Sequence, residues 1–223
     1  MSELDNAALG KGRIKKTTLL SNRSENERWV DLTKERLKPG RLGNLFNGSQ
    51  FIGIQKGNSN QYEVTVNIQN VDLKGHLLSG YLHISGLTAS HPDITTFFEG
   101  EIIGPKHSFL TRKWLADLSV DAKHWKRFPS FTPLIDIFNK DGYHYDPMEH
   151  DYIYMRWKEK FLVPDHQVKD IDGASYSGFY YICYEKSTSN ITGFYYYHRN
   201  IEWYQELSLK YVPNRQFSSF EFR

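Results

Sequence analysis

Cysteine is nearly absent: Cys183 is the one thiol in 223 residues. That excludes an internal disulfide framework and fits a reducing compartment. No apolar run is long enough to span a bilayer. The opening Met1-Ser-Glu-Leu-Asp lacks the basic-then-apolar order of a signal peptide. The sequons at Asn47-Gly-Ser and Asn190-Ile-Thr therefore carry little weight, and a soluble intracellular protein is expected. Charge of one sign is not in excess either. The net formal charge is +2, with +4 carried by residues 1–41 and −2 by the remainder. A mildly basic tail of this kind is too sparse for a nucleic-acid footprint.

The signatures of common enzyme chemistry are missing too. There is no Gly-rich phosphate loop, no nucleophile elbow and no His-Glu-x-x-His. Cys183 lies inside an apolar strand, which suits a buried inert thiol better than a nucleophile. Asp165, His166, Asp170 and Asp172 crowd one stretch, but their spacing matches no common metal site and no metal is expected. Glu99 and Glu101 stand two apart on one strand, so outward polar positions explain them better than a glycosidase pair. No cofactor is implied, and an enzyme is the weaker class.

What is present is aromatic: 15% of the chain, against a mean hydropathy of −0.61. Large side chains on a modest core suggest a β-rich fold. Residues 1–41 lack strand periodicity and read as a flexible tail, with a short helix over Asn26–Arg36 before Pro39-Gly40. Alternation then begins at Ser49–Gln55. It continues through Tyr62, Val64, Val66 and Ile68, then Leu78, Gly80, Leu82 and Ile84, and then Thr95–Ile103, where Gly100 suggests a bend or bulge. Asp121 is placed to cap a short helix through Trp125 and Phe128, and Phe131, Ile135 and Phe138 follow at helical spacing. Strands resume at Tyr152–Val163, Gly178–Glu185, Gly193–His198 and Ile201–Leu209. The expected fold is all-β: an eight-stranded antiparallel up-and-down barrel over residues 42–216 with a short helical insertion, since closure removes exposed edges.

The strand over Tyr152–Val163 carries the strongest functional hint. At period two, Ile153, Met155, Trp157, Glu159, Phe161 and Val163 share an apolar face, while Arg156, Lys158 and Lys160 fall on the other, which reads as solvated. Glu159 thus points toward a core, where an ionised carboxylate is costly unless a cation meets it. Two readings stand side by side. An internal Arg or Lys, or water at the rim, satisfies the acid structurally; alternatively it waits for a ligand cation in an aromatic-walled pocket.

Several long stretches resemble the vacuolar import and degradation family. They are Gly80-Tyr-Leu-His-Ile-Ser-Gly-Leu-Thr, Thr95-Thr-Phe-Phe-Glu-Gly-Glu-Ile-Ile, Phe109-Leu-Thr-Arg-Lys-Trp, Met155-Arg-Trp-Lys-Glu-Lys-Phe-Leu-Val-Pro-Asp-His and Gly173-Ala-Ser-Tyr-Ser-Gly-Phe-Tyr-Tyr-Ile-Cys. The likeness runs from about Leu45 to Arg223, in order. It implies a non-enzymatic substrate receptor of the GID/CTLH ubiquitin ligase, cytoplasmic or also nuclear, that recognises N-terminal proline degrons and directs turnover of gluconeogenic enzymes. On that resemblance Glu159 and Tyr180 meet the substrate's terminal ammonium, and Gln55 and Ser175 hydrogen-bond the first peptide residues. Ile84, Leu87, Ile94 and Phe97 line apolar parts of the groove, and Tyr195 joins them. The ending Phe220-Glu221-Phe222-Arg223, within a tail of residues 217–223, docks on an armadillo-repeat scaffold. A lipocalin-like barrel for a hydrophobic small molecule is the alternative.

Overall fold

The structure, a computed structural model, describes residues 42–57, 60–87, 92–168, 176–199 and 205–213. Its strands are β1 (Gln50–Lys56), β2 (Gln61–Asp72), β3 (Leu77–Ser85), β4 (Asp93–Ile102), β5 (Tyr152–Val163), β6 (Phe179–Glu185), β7 (Asn190–Tyr196) and β8 (Gln205–Val212). Each pairs antiparallel with the next, and β8 pairs back onto β1, closing the expected up-and-down barrel. The expected N-terminal tail and helix, the docking tail, and Ile201 and Trp203 of the last strand lie outside the described residues. Among the described residues no helix is long and apolar enough to cross a membrane.

The barrel interior is filled from all eight strands. Phe51, Val66, Ile68, Leu82, Phe98, Trp157, Ile182, Tyr184 and Leu207 are essentially inaccessible to solvent. Phe98 and Trp157 stack with ring centres 4.6 Å apart. Gly100 makes this possible. It lies in regular register between Leu78 and Trp157, and an added Cβ would come within 2.7 Å of Trp157 Cδ1. The glycine is a space for an indole, not the bend the sequence suggested.

A second apolar layer covers the outside of β5, β6 and β7. The segment between β4 and β5 folds over them with one α-helix, α1 (Leu118–Trp125), and a 3-10 turn at Pro129–Leu134. Asp117, not Asp121, caps α1, accepting from Val120 N at 2.9 Å. Phe109, Trp125, Phe128 and Phe131 pack against Tyr154, Tyr181 and Phe194. Every β6 side chain from Phe179 to Tyr184 is therefore buried, alternate residues serving the two layers.

β5 departs from the simple alternation at one place. Phe98 of β4 pairs with Glu159, but Phe97 pairs with Phe161, so Lys160 is the extra residue of a bulge. Beyond it the faces exchange: Leu162 turns inward, while Phe161 and Val163 become exposed on the outside, where Phe161 stacks on Phe97 at 5.1 Å. The expected apolar face therefore ends at Glu159. The opposite basic face is not simply solvated either. Arg156 is 2% exposed, paired with Glu101 and donating to Ser108 O and Phe109 O, while Lys160 pairs with Glu99 at 2.7 Å.

Candidate amine pocket at the barrel mouth

Glu159 reaches the interior just before the bulge. It is 5% exposed, and its Oε1 accepts a 2.6 Å hydrogen bond from Thr96 Oγ1, inward-facing on the neighbouring strand. Among the described residues it forms no ion pair with a Lys, Arg or His. Burial pushes the carboxyl up to about 7; the Thr96 hydroxyl and the charge of Lys158 oppose that shift. A carboxylate in this setting has spare acceptor capacity and gains from any ammonium that meets it.

Tyr180 of β6 is 2% exposed and donates its hydroxyl proton to Gln55 Oε1 at 2.9 Å. The Gln55 amide in turn donates to Gln205 Oε1 at 2.6 Å. With its proton committed, the Tyr180 oxygen faces other donors as an acceptor. Burial raises the phenol far above its ordinary range and the Glu159 charge adds to this, so Tyr180 stays neutral. Tyr195, across β7, packs its ring 4.8 Å from that of Tyr180. Its hydroxyl accepts from the Gly178 N–H at 2.8 Å. Gly178 is required here, since a Cβ would sit 2.1 Å from Tyr196 O and 2.6 Å from the Tyr195 ring.

An apolar wall adjoins these groups. Ile84 and Ile94 are cross-strand partners, and Leu87 packs against Ile94 and Leu162. Thr96 stands opposite Leu162, so Ile94, Thr96 and Glu159 continue one inner surface. The fold thus brings together Glu159, Tyr180, Gln55, Tyr195, Ile84, Leu87 and Ile94. It does not bring Phe97, which lies on the outer face between Tyr81 and Phe161. Ser175 and Phe220–Arg223 lie outside the described residues.

Sequence reasoning missed Thr96, Gln205 and Leu162. Alternation over β4 places Thr96 inward with Ile94 and Phe98, so a buried hydroxyl near Glu159 was open to detection. Leu162 was hidden by the bulge, and Gln205 by its distance from Gln55 along the chain. Among the described residues no group of three His, Cys, Asp or Glu could hold a metal, while Asp170 and Asp172 fall outside them.

A family model described as "Vacuolar import and degradation protein" matches residues 44–212, the whole barrel. The chain belongs to the vacuolar import and degradation family. A mouse member, "Glucose-induced degradation protein 4 homolog", is 54% identical over 180 residues, covering 80% of this chain and 82% of that protein. Two yeast members of the family are each named "GID complex substrate-recognition subunit 4". The one from Schizosaccharomyces pombe is 37% identical over 189 residues, covering 80% of this chain and 97% of that protein. The one from Saccharomyces cerevisiae is 35% identical over 235 residues, covering 78% and 65%.

Proposed function

We propose that the chain is the substrate receptor of a multisubunit ubiquitin ligase. It binds the free N-terminal proline of substrate proteins in the barrel mouth and docks through Phe220–Arg223 on the ligase's armadillo-repeat scaffold. Recognition, not catalysis, is its contribution, and other subunits carry out ubiquitination ahead of proteasomal degradation. Cytoplasmic gluconeogenic enzymes are the substrate class in this reading. The relatives named as GID complex substrate-recognition subunits support the receptor role.

The observation that carries the amine reading is Glu159: a buried carboxylate with one hydrogen bond among the described residues, beside a tyrosine oxygen whose proton is already committed. An N-terminal proline presents a secondary ammonium with two N–H donors. Glu159 and the Tyr180 oxygen are the two acceptors that suit it, and Gln55 lies next along the chain of hydrogen bonds toward the peptide backbone. The ring's fixed geometry lowers the ordering cost of binding. Acetylation removes the charge and adds bulk. The lipocalin-like alternative has less support, because Phe51, Phe98, Trp157 and Tyr184 already fill the interior.

Calorimetric titration with a Pro-Gly-led tetrapeptide, free and N-acetylated, tests the reading. The free peptide is expected to bind and the acetylated one not. Glu159→Gln should weaken the free peptide by roughly 2–5 kcal/mol, the usual cost of truncating one partner of a buried charged pair. Equal binding by the acetylated peptide, or by Glu159→Gln, would sink it.

A further inference from the structure

β5 and β6 pair from Tyr152 opposite Glu185 to Trp157 opposite Tyr180, and no further, although β5 continues to Val163. Lys158 and Glu159 are thus the first β5 residues past the end of that ladder. The chain about to enter β6 passes the gap at Tyr176, Ser177 and Gly178. Backbone carbonyls released from a ladder need other donors.

Lys158 supplies them. Its Nζ donates to the carbonyl oxygens of Glu159 at 3.1 Å, Tyr176 at 3.0 Å and Ser177 at 3.1 Å. An ammonium has three N–H donors and no acceptor, so these carbonyls use its capacity in full. One cation ties both sides of the fork together. Its cross-strand neighbour Glu99 is paired with Lys160 instead. Burial lowers the Lys158 pKa, and the Glu159 charge holds it up.

We infer that Lys158 is a positioning residue for the amine pocket: by pinning the Glu159 backbone to Tyr176 and Ser177 it fixes where the carboxylate meets a ligand's ammonium. The inference rests on the amine-receptor reading above. A compact ammonium suits it because three convergent carbonyls surround a single nitrogen, whereas a planar guanidinium spreads its donors. The same cation contributes to keeping Glu159 ionised. Among the described residues, the Thr96 hydroxyl from β4 and the Tyr180 phenol from β6 are the uncharged groups that meet that carboxylate, and the Tyr195 phenol and the Gln55 and Gln205 amides from β7, β1 and β8, also uncharged, follow beyond Tyr180.

The test compares full-length wild type, Lys158→Met and Lys158→Arg in two measurements. In titrations with the free Pro-Gly tetrapeptide, Lys158→Met should bind about tenfold more weakly near neutral pH. Its binding-versus-pH midpoint should move up by about half a unit or more. Lys158→Arg, which keeps the charge but not the convergent donors, should restore the midpoint and only part of the affinity. Should Lys158→Met fail to fold, the affinity of Lys158→Arg decides: a loss relative to wild type is expected, and affinity equal to wild type overturns the inference. The second measurement follows the Glu159 carboxyl by carbon-13 NMR titration without peptide, where Lys158→Met should titrate higher than wild type. For Lys158→Met, unchanged affinity, or an affinity loss with an unmoved midpoint and a matching fall in Tm, overturns the inference. If wild type binds no peptide, the amine reading fails and so does the pocket role. The NMR titration still decides whether Lys158 tunes Glu159.

Discussion

Two buried carboxylates, one inside the barrel and one outside it, share a strand for a neighbour. Tyr180 and Tyr181 are adjacent on β6 and point to opposite faces, Tyr180 toward the mouth and Tyr181 toward the layer under α1. Outside, Asp121 accepts from Thr111 N at 2.7 Å, from the Thr111 hydroxyl, and from the Tyr181 hydroxyl at 2.7 Å. Inside, Thr96 is the one donor to the Glu159 carboxylate among the described residues, and the Tyr180 proton goes to Gln55. Burial raises the pKa of both acids, but at Asp121 several hydrogen bonds and the charge of Arg156 counter it, against one hydrogen bond and Lys158 at Glu159. A carboxylate whose lone pairs are filled by the protein is structural. One left with spare acceptors at the cost of desolvation is set for a visitor.

The contrast breaks most sharply under amide substitution. Asp121→Asn keeps the shape but turns an NH2 toward donors already present, since one amide oxygen cannot serve all three. Chemical denaturation should show a loss of roughly 3–4 kcal/mol. Glu159→Gln should do the opposite, because the Thr96 hydroxyl still finds an acceptor in the amide oxygen. The folded-state pKa is raised from 4.5 to about 7. Below about pH 4.5 the carboxyl is protonated in both states and the substitution is nearly neutral. As pH rises through about 4.5 to 7, the unfolded chain ionises first and wild type loses stability. At about pH 8 Glu159→Gln should therefore be the more stable by about 3 kcal/mol, with the gain vanishing near pH 4. Denaturation curves at the two pH values check the sign.

The smallest effect sharpens the comparison at a single strand. Tyr181→Phe and Tyr180→Phe each remove one buried donor, worth about 1–2 kcal/mol. For Tyr181→Phe the loss should appear as a fall in denaturation midpoint with peptide affinity unchanged. For Tyr180→Phe most of it should appear in the peptide titration. Equal effects of the pair on affinity would remove the distinction between the two layers.

Much of this was legible in the chain itself. Period-two alternation located every strand within a few residues, and the inward acid stood out because it shares a face with Ile153, Met155 and Trp157 before it and reads as lying between Trp157 and Phe161. Three things were not legible, each for a physical reason. The bulge at Lys160 adds a residue without altering composition, so Phe161 and Val163 read as inward when they are exposed. Arg156 and Lys158 read as solvated because their partners, Glu101, Ser108, Tyr176 and Ser177, are remote in sequence. Asp121 looked like a helix cap, but the loop carrying Thr111 claims its oxygens and Asp117 caps the helix. Pattern reports which face a residue takes, not who meets it there.

The adjacency of Tyr180 and Tyr181 also guards the assembly of the barrel. A slip of β6 by one residue would exchange them, carrying each hydroxyl away from its acceptor and into the opposite layer. Asp121 would lose a donor and the Gln55 amide would lose its phenol in the same error. A misregistered sheet is thereby penalised on both surfaces at once, by polar groups that tolerate no substitute, where apolar packing alone would discriminate less sharply.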